Sequence, residues 1–313
     1  MTALACGVDV GGTKILGGVV DEQGTIVEEV RVTSPATDPD AIQEAIADVV
    51  LELKGRHQIS SVGVGAAGYI DKARRTVMFA PNIAWRDVDL ADRLEKSVDL
   101  PVVVENDGNA AAWGEFAFGA GADVDDLLMV TVGTGVGGGI VLDGELYRGA
   151  FGVGGEIGHM RVVPGGIQCG CGKLGCFEKY ASGSALVAQV RTAAATDLRA
   201  SALVARAGGN AAAITGPMVT ELAQGGDAFA LEALVTLGTW LGEGIASLTA
   251  VLDPAVVAIG GGVADADELL LGPTREAFLA QLTGRGFRPE LEIRKAGLGN
   301  RAGLIGAADL ARH

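Results

Sequence analysis

Three cysteines fall within eight residues, Cys169-Gly170-Cys171-Gly172-Lys173-Leu174-Gly175-Cys176, and His159 precedes the first of them by ten. One imidazole and three thiolates make the tetrahedral nitrogen and sulfur set that Zn2+ favours, with no position left for water. Such a metal is structural: it pins a loop whose glycines lend it no stiffness. The bland alternative is three reduced cysteines beside an unrelated histidine. Glu156 and Glu178 flank the set. Because the ligands are already complete, both glutamates are left as hydroxyl acceptors. The second ring nitrogen of His159 is free to hydrogen-bond a substrate or a neighbouring carboxylate. The fourth cysteine, Cys6, sits in an apolar run and reads as ordinary core, and His57 and His313 read as surface residues.

A second group, Glu105-Asn106-Asp107-Gly108-Asn109, lies where a strand-like run meets a helical one. Asp and Asn cap helices, so Asp107 has a structural reading. It also has a chemical one. The C-terminal edge of a strand is the ligand edge of an α/β sheet. A carboxylate there can take the proton of a hydroxyl as it attacks phosphorus, with Asn106 bonding a neighbouring hydroxyl.

Three glycine turns each follow a β run: Gly11-Gly12-Thr13-Lys14, Gly133-Thr134-Gly135 and Gly260-Gly261-Gly262. Successive amides unobstructed by side chains form a nest for phosphate oxygens, although any one of these turns alone would serve equally as a hairpin. Asp9, beside the first turn, is either an exposed strand residue or the holder of a Mg2+ through water. Residues 133–138, GTGVGG, match a dinucleotide fingerprint, but a strand follows them where that motif needs a helix. Nor is Gly11-Gly12-Thr13-Lys14 a P-loop, since the first glycine and the following helix are missing.

The elements that must position these groups follow from periodicity. Cys6 to Val30 reads as a three-stranded antiparallel meander, and Ala41 to Lys54 has the apolar spacing of a helix. Strands are expected over 59–66, 101–105, 127–132, 140–142 and 256–259, and helices over 90–97, 108–118 and 301–312. A largely helical stretch spans 182–252. Aligned without gaps, Val8–Asp21 and Val130–Asp143 share Val8/Val130, Val10/Val132, Gly11/Gly133, Gly17/Gly139, Val19/Val141 and Asp21/Asp143, a weak internal duplication. The fold class is therefore mixed α/β. Two domains are expected, 1–109 with 301–313 and 110–300, with the active site in a cleft between them.

Bulk composition excludes several classes. The 313 residues carry 24 basic and 39 acidic side chains, a net charge of −15, and no basic patch stands out, so nucleic-acid and anionic-membrane partners are not expected. The apolar stretch from Ile245 to Val263 is broken by Asp253-Pro254 and three glycines, which argues against a membrane span. No basic and apolar leader opens the sequence, so a cytoplasmic location is expected.

Together these residues resemble the ROK family, which groups bacterial sugar kinases with sugar-responsive repressors. The resemblance covers essentially the whole chain. It rests on Asp9-Val10-Gly11-Gly12-Thr13-Lys14, on Glu156-Ile157-Gly158-His159, and on Cys169-x-Cys171-Gly172-x-x-Gly175-Cys176-x-Glu178-x-x-x-Ser182. It implies an actin-like, hexokinase-like fold of two ribonuclease-H-like domains, with ATP, Mg2+ and a structural Zn2+. Carried over, Asp107 resembles the general base, and Asn106, Glu156, His159 and Glu178 the sugar contacts, joined by Gly68 and Asn82. His159, Cys169, Cys171 and Cys176 resemble the zinc ligands. Asp9, Gly11, Gly12, Thr13 and Lys14, with Gly133, Thr134 and Gly135, resemble the phosphate and metal side, and Gly261 with Gly262 the adenosine side. Ala181-Ser182-Gly183 resembles the members that phosphorylate glucose at its 6-hydroxyl.

Two other readings stay open: a kinase for N-acetylmannosamine, N-acetylglucosamine, fructose or another hexose, and a non-catalytic sugar sensor. The sensors of the family carry a further N-terminal DNA-binding domain, for which the motif beginning at Asp9 leaves no residues. A zinc hydrolase is excluded by four protein ligands. A homodimer or homotetramer is the expected assembly, and nothing indicates a regulatory protein partner.

Overall fold

The computed structural model describes residues 4–80 and 83–313, so Asn82 lies outside the described residues. The chain opens with β1 (Leu4–Val10), β2 (Lys14–Val20) and β3 (Ile26–Thr33), the antiparallel meander its apolar runs predict. β1 and β2 are buried along nearly their whole length and so read as unbroken apolar runs, while β3 alternates half-buried and exposed. In α1 (Pro39–Lys54), Asp38 caps the helix by accepting the amides of Asp40 and Ala41, and Ile42, Ile46, Val49, Val50 and Leu53 face the core.

There follow β4 (Ile59–Ala66), the short β5 (Tyr69–Ile70), β6 (Val77–Phe79) and β7 (Arg86–Val88), then α2 (Leu90–Val98), β8 (Val102–Asn106) and α3 (Asp107–Phe118). The main sheet runs β3-β2-β1-β4-β8, with β1, β4 and β8 parallel. β5, β6 and β7 form a small sheet of their own that the sequence does not predict, because strands of two or three residues display no period.

The pattern then restarts. β9 (Leu127–Val132), β10 (Val136–Leu142) and β11 (Glu145–Leu146) lead to the short α4 (Glu178–Ala181), then α5 (Gly183–Ala194), α6 (Ser201–Arg206), α7 (Gly216–Gln224) and α8 (Ala228–Leu252). β12 (Val256–Gly260), α9 (Glu268–Gln281), β13 (Glu292–Lys295) and α10 (Ala302–Leu310) complete the chain. The second sheet runs β11-β10-β9-β12-β13 and repeats the first order strand for strand. Three-residue turns, 11–13 and 133–135, join the two matching hairpins. The few shared identities thus mark a real repetition of architecture.

The chain packs as two compact units, Met1–Met129 with Gly138–Gly155 and Ala296–His313, and Val130–Gly137 with Glu156–Lys295. The boundary drawn from sequence after residue 109 falls inside α3, which stays whole in the first unit. There α10 packs on α3, β1 and β4. A Cβ on Gly63 would sit 1.8 Å from the carbonyl oxygen of Ala307, and one on Gly306 1.8 Å from that of Ala110. The helix therefore lies backbone against backbone on β4 and α3, a contact no larger residue permits. Arg312 latches its end by donating to the carbonyls of Val20 and Asp21 at 2.6 and 2.8 Å.

In the second unit, α8 is long and apolar enough to cross a membrane, but 56% of its most apolar window is buried, and it packs on α7 and α9. It is that unit's core helix. The stretch Ile245 to Val263 divides into the end of α8, a left-handed turn at Asp253 (φ 48°) and β12, as its Asp-Pro break predicts.

Candidate active site

In the first unit β8 ends at Asn106 and α3 begins at Asp107. The cap of α3 is Asn106, whose Oδ1 accepts the amide of Asn109 at 3.0 Å. Its Nδ2 donates to the carbonyl of Gly68 at 3.0 Å. Gly68 has φ 129°, and a Cβ there would lie 2.3 Å from the carbonyl oxygen of Phe79. So Asn106 holds a backbone corner that only glycine can form. The capping reading of Asp107 is thereby corrected: its neighbour does that work, and its own carboxylate is left solvent-accessible with one bond, from the Gly108 amide at 2.9 Å.

Although its surface reaches solvent, Asp107 sits where the surrounding protein displaces much of its hydration, and this raises its pKa; the Gly108 amide opposes the rise. Asp9, the next-to-last residue of β1, is pushed up to about 6, first by burial, then by the charge of Asp107, with Lys14 pulling the other way. A carboxylate raised by burial and by a second carboxylate, with a single lysine opposing, suits a hydrated divalent cation. The adjoining turn is closed by the Gly11 amide donating to the Lys14 carbonyl at 2.9 Å. Among the described residues the amides of Gly12 and Thr13 donate to no protein group, and both residues are exposed.

Sequence reasoning quoted Glu105 without giving it a role. It is 2% exposed and accepts the Asn106 amide at 3.1 Å, Asn109 Nδ2 at 3.0 Å and Arg148 Nε at 2.7 Å. Arg74 Nε stands 3.7 Å from the same carboxylate. The available signal was a lone carboxylate ending the apolar run Val102-Val103-Val104.

The second unit holds the other predicted turns. A cavity of about 590 Å3 is walled by Gly133 and Thr134, by Gly262 and Val263 after β12, by the Gly183–Arg191 face of α5 and by Thr215, Gly216 and Pro217. This volume is of the size that takes a small-molecule ligand. The Gly183 amide donates to the Gly133 carbonyl at 2.8 Å, fixing the turn against the start of α5, which Ser182 caps. Arg191 donates twice to the Ile214 carbonyl, at 3.0 and 2.7 Å, and so ties α5 to the opposite wall. These α5 and α7 residues are absent from the sequence-derived set, because only tertiary packing brings them together. Two predicted glycines do not line the cavity. Gly261 (φ 84°) packs on the backbone of Val132, and a Cβ on Gly135 would lie 2.7 Å from Glu178 Oε2.

His159, Cys169, Cys171 and Cys176 converge with their ligand atoms all within 4.8 Å of one another. His159 Nδ1 is 3.7 Å from Cys169 Sγ, and Cys171 Sγ is 3.6 Å from Cys176 Sγ. A tetrahedron with metal–sulfur bonds of about 2.3 Å has edges of about 3.8 Å, so the donor set fits zinc in both chemistry and spacing. Nδ1 faces the sulfurs, and Nε2 lies on the other side, 3.9 Å from Glu156 Oε2. Glu178 opens α4, with Oε1 2.8 Å from Cys169 Sγ. Burial, reinforced by that carboxylate, pushes the Cys169 thiol up to about 12. A metal binding there must displace its proton.

The profile of the ROK family matches residues 5–313. The chain belongs to the ROK family. Within the family it is 48% identical over 310 residues to a glucokinase of Streptomyces coelicolor, covering 99% of this chain and 98% of that one. It is 40% identical to a glucokinase of Halalkalibacterium halodurans, covering 98% of this chain and 94% of the relative. A ROK family glucokinase from Streptomyces griseus, solved in complex with glucose and AMPPNP, superposes with a TM-score of 0.90 at 49% identity, covering 99% of both chains. The two five-stranded sheets of this ROK protein are those of the actin-like, hexokinase-like ATPase fold.

Proposed function

We infer that this ROK protein is an ATP-dependent glucokinase that phosphorylates the 6-hydroxyl of glucose. The observation that carries the reading is near-full-length similarity to glucokinases, one of them solved with glucose and an ATP analogue. It is supported by an Asp107 relieved of capping duty and left open to solvent.

Asp107 accepts the proton of the 6-hydroxyl as its oxygen attacks the γ-phosphorus in line, and the bond to the bridging oxygen of ADP breaks. Its pKa is raised, first by loss of hydration, and a rise in this direction makes the carboxylate a stronger proton acceptor. The amides of Gly12, Thr13 and Thr134 bind phosphate oxygens, and the 590 Å3 cavity receives the nucleoside. Asp9 would hold a Mg2+, which would supply charge neutralisation on the triphosphate. His159, Cys169, Cys171 and Cys176 would hold a structural Zn2+. With Nδ1 turned to the sulfurs, the Nε2 hydrogen of His159 is a donor for a sugar hydroxyl, and Glu156 and Glu178 are acceptors. ATP supply places this chemistry in the cytoplasm.

ADP release with Mg-ATP, measured across glucose, mannose, fructose, N-acetylglucosamine and N-acetylmannosamine, tests the reading. Glucose is expected to give the highest kcat/KM. A preference for an N-acetylated sugar would move the substrate, and silence on every sugar by folded, zinc-loaded protein would overturn the kinase.

A further inference from the structure

Glu105 is a carboxylate, 2% exposed, at the end of a strand that is otherwise apolar. A buried charge is costly, and a leucine would fill comparable space without that cost. What the carboxylate holds accounts for it. Oε1 accepts from the Asn106 amide at 3.1 Å and from Asn109 Nδ2 at 3.0 Å. The Asn109 amide is in turn held by Asn106 Oδ1 at 3.0 Å. Three side chains therefore close a ring around the backbone corner from which Asp107 projects.

The other oxygen, Oε2, accepts from Arg148 Nε at 2.7 Å. Arg148 is the root of a loop, Gly149-Ala150-Phe151-Gly152-Val153-Gly154-Gly155, and the next residue in the chain is Glu156. Four glycines in seven residues leave this loop little stiffness. Its fixings are external to its side chains. The Gly154 amide returns to the Arg148 carbonyl at 3.0 Å, and Gly152 (φ 91°) lies against the backbone of Ile70, 2.4 Å from where a Cβ would be. Gly155 passes over the same ring: a Cβ there would lie 3.6 Å from Asn109 Oδ1, a buried oxygen without a hydrogen-bond partner among the described residues.

We propose that the Glu105–Arg148 ion pair is a positioning element for sugar binding. It braces the Asn106–Asp107 corner and fixes the root of the glycine loop that delivers Glu156. Neither residue touches the sugar, and the proposal rests on the glucokinase reading.

Full-length wild type, Arg148→Ala, Arg148→Lys and Glu105→Gln are compared by glucose calorimetry and steady-state kinetics. Arg148→Ala is expected to raise both Kd and KM for glucose about tenfold, since misplacing a binding group by a fraction of an ångström has effects of this order. KM for ATP should stay within about twofold, and Arg148→Lys should recover part of the loss because it keeps the charge. A variant set that lowers Tm but leaves glucose Kd and KM unchanged overturns the proposal. If Arg148→Ala does not fold, Arg148→Lys and Glu105→Gln decide by the same split between glucose and ATP. A wild type that neither binds nor phosphorylates glucose overturns the reading beneath the proposal. A wild type that does both, matched by every variant, overturns the proposal alone.

Discussion

The Asp107 corner and the cysteine loop solve one problem, holding polar groups still, by opposite means. At the corner the protein supplies every fixing itself: Asn106 caps α3 and grips Gly68, while buried Glu105 binds Asn106, Asn109 and Arg148. Around the cysteines the chain has backbone hydrogen bonds, such as the Cys169 amide to the Lys173 carbonyl at 2.8 Å, and adds four side chains whose ligand atoms suit a metal ion. Of the fifteen residues from Gly165 to Lys179, five are glycines, and Cys171 is exposed. The difference teaches where order comes from in each region. The corner's polar groups are satisfied by the chain itself, whereas the cysteine set has the ligand types and spacing that a metal would complete by displacing thiol protons.

The largest expected effect breaks chemistry at the corner without breaking the corner. Asp107→Asn should lower kcat by about 10²–10⁴-fold, the usual share of a general base. Glucose affinity should be kept within a few-fold and Tm nearly unchanged, because Asn106 caps α3 and an asparagine at 107 keeps an oxygen for the Gly108 amide. ADP release and glucose calorimetry on the same preparation check it. A large fall in Tm would show that Asp107 is structural after all.

The next effect separates the two regions directly. Stripping the metal with a chelator, or Cys171→Ser, should weaken glucose binding by about tenfold or more, as loss of the groups that orient a site commonly does. Nucleotide affinity should hardly change, since the walls of the 590 Å3 cavity use none of the four ligands. Fluorescent-nucleotide titration beside glucose calorimetry reads the two independently. Equal loss of both would mean that the metal supports the whole second unit rather than the loop.

Much of this was legible in sequence because its signals are local. The meander, β4, β9 and α1 follow from apolar period, and the zinc set follows from spacing within a few residues. The repeated sheet order was visible only as six identities, since a fold constrains pattern more than residue type. What stayed hidden depends on distance along the chain. Arg148 meets Glu105 across 43 residues, and Arg191 meets Ile214 across 23. The capping choice between Asn106 and Asp107 was hidden for another reason: both residues cap well, and only the placement of β8 decides which one enters the helix. The packing of the Gly133-Thr134-Gly135 turn was hidden as well: a Cβ on Gly135 would lie 2.7 Å from Glu178 Oε2, 43 residues further along the chain.

The smallest effect sharpens the corner's electrostatics. Asp9 has its carboxyl pKa raised to about 6 by burial and by Asp107. A carboxyl whose folded pKa exceeds its unfolded value of about 3.9 binds protons more tightly when folded, so unfolding releases them. Its stabilising contribution is then fully present below about pH 4 and is lost as pH rises through about 6. Asp9→Asn removes the charge that causes the loss. It should therefore stabilise the nucleotide-free protein more at pH 7.5 than at pH 4.5, by an amount on the order of 1 kcal/mol once solvent screening at a partly exposed group is allowed for, with a corresponding rise in Tm. The same substitution should cost turnover with Mg-ATP, because the neutral amide no longer attracts the cation. Differential scanning across pH reads the first effect and ADP release at varied Mg2+ the second. A Tm gain that does not depend on pH would mean that packing, not the paired carboxylates, limits stability at Asp9.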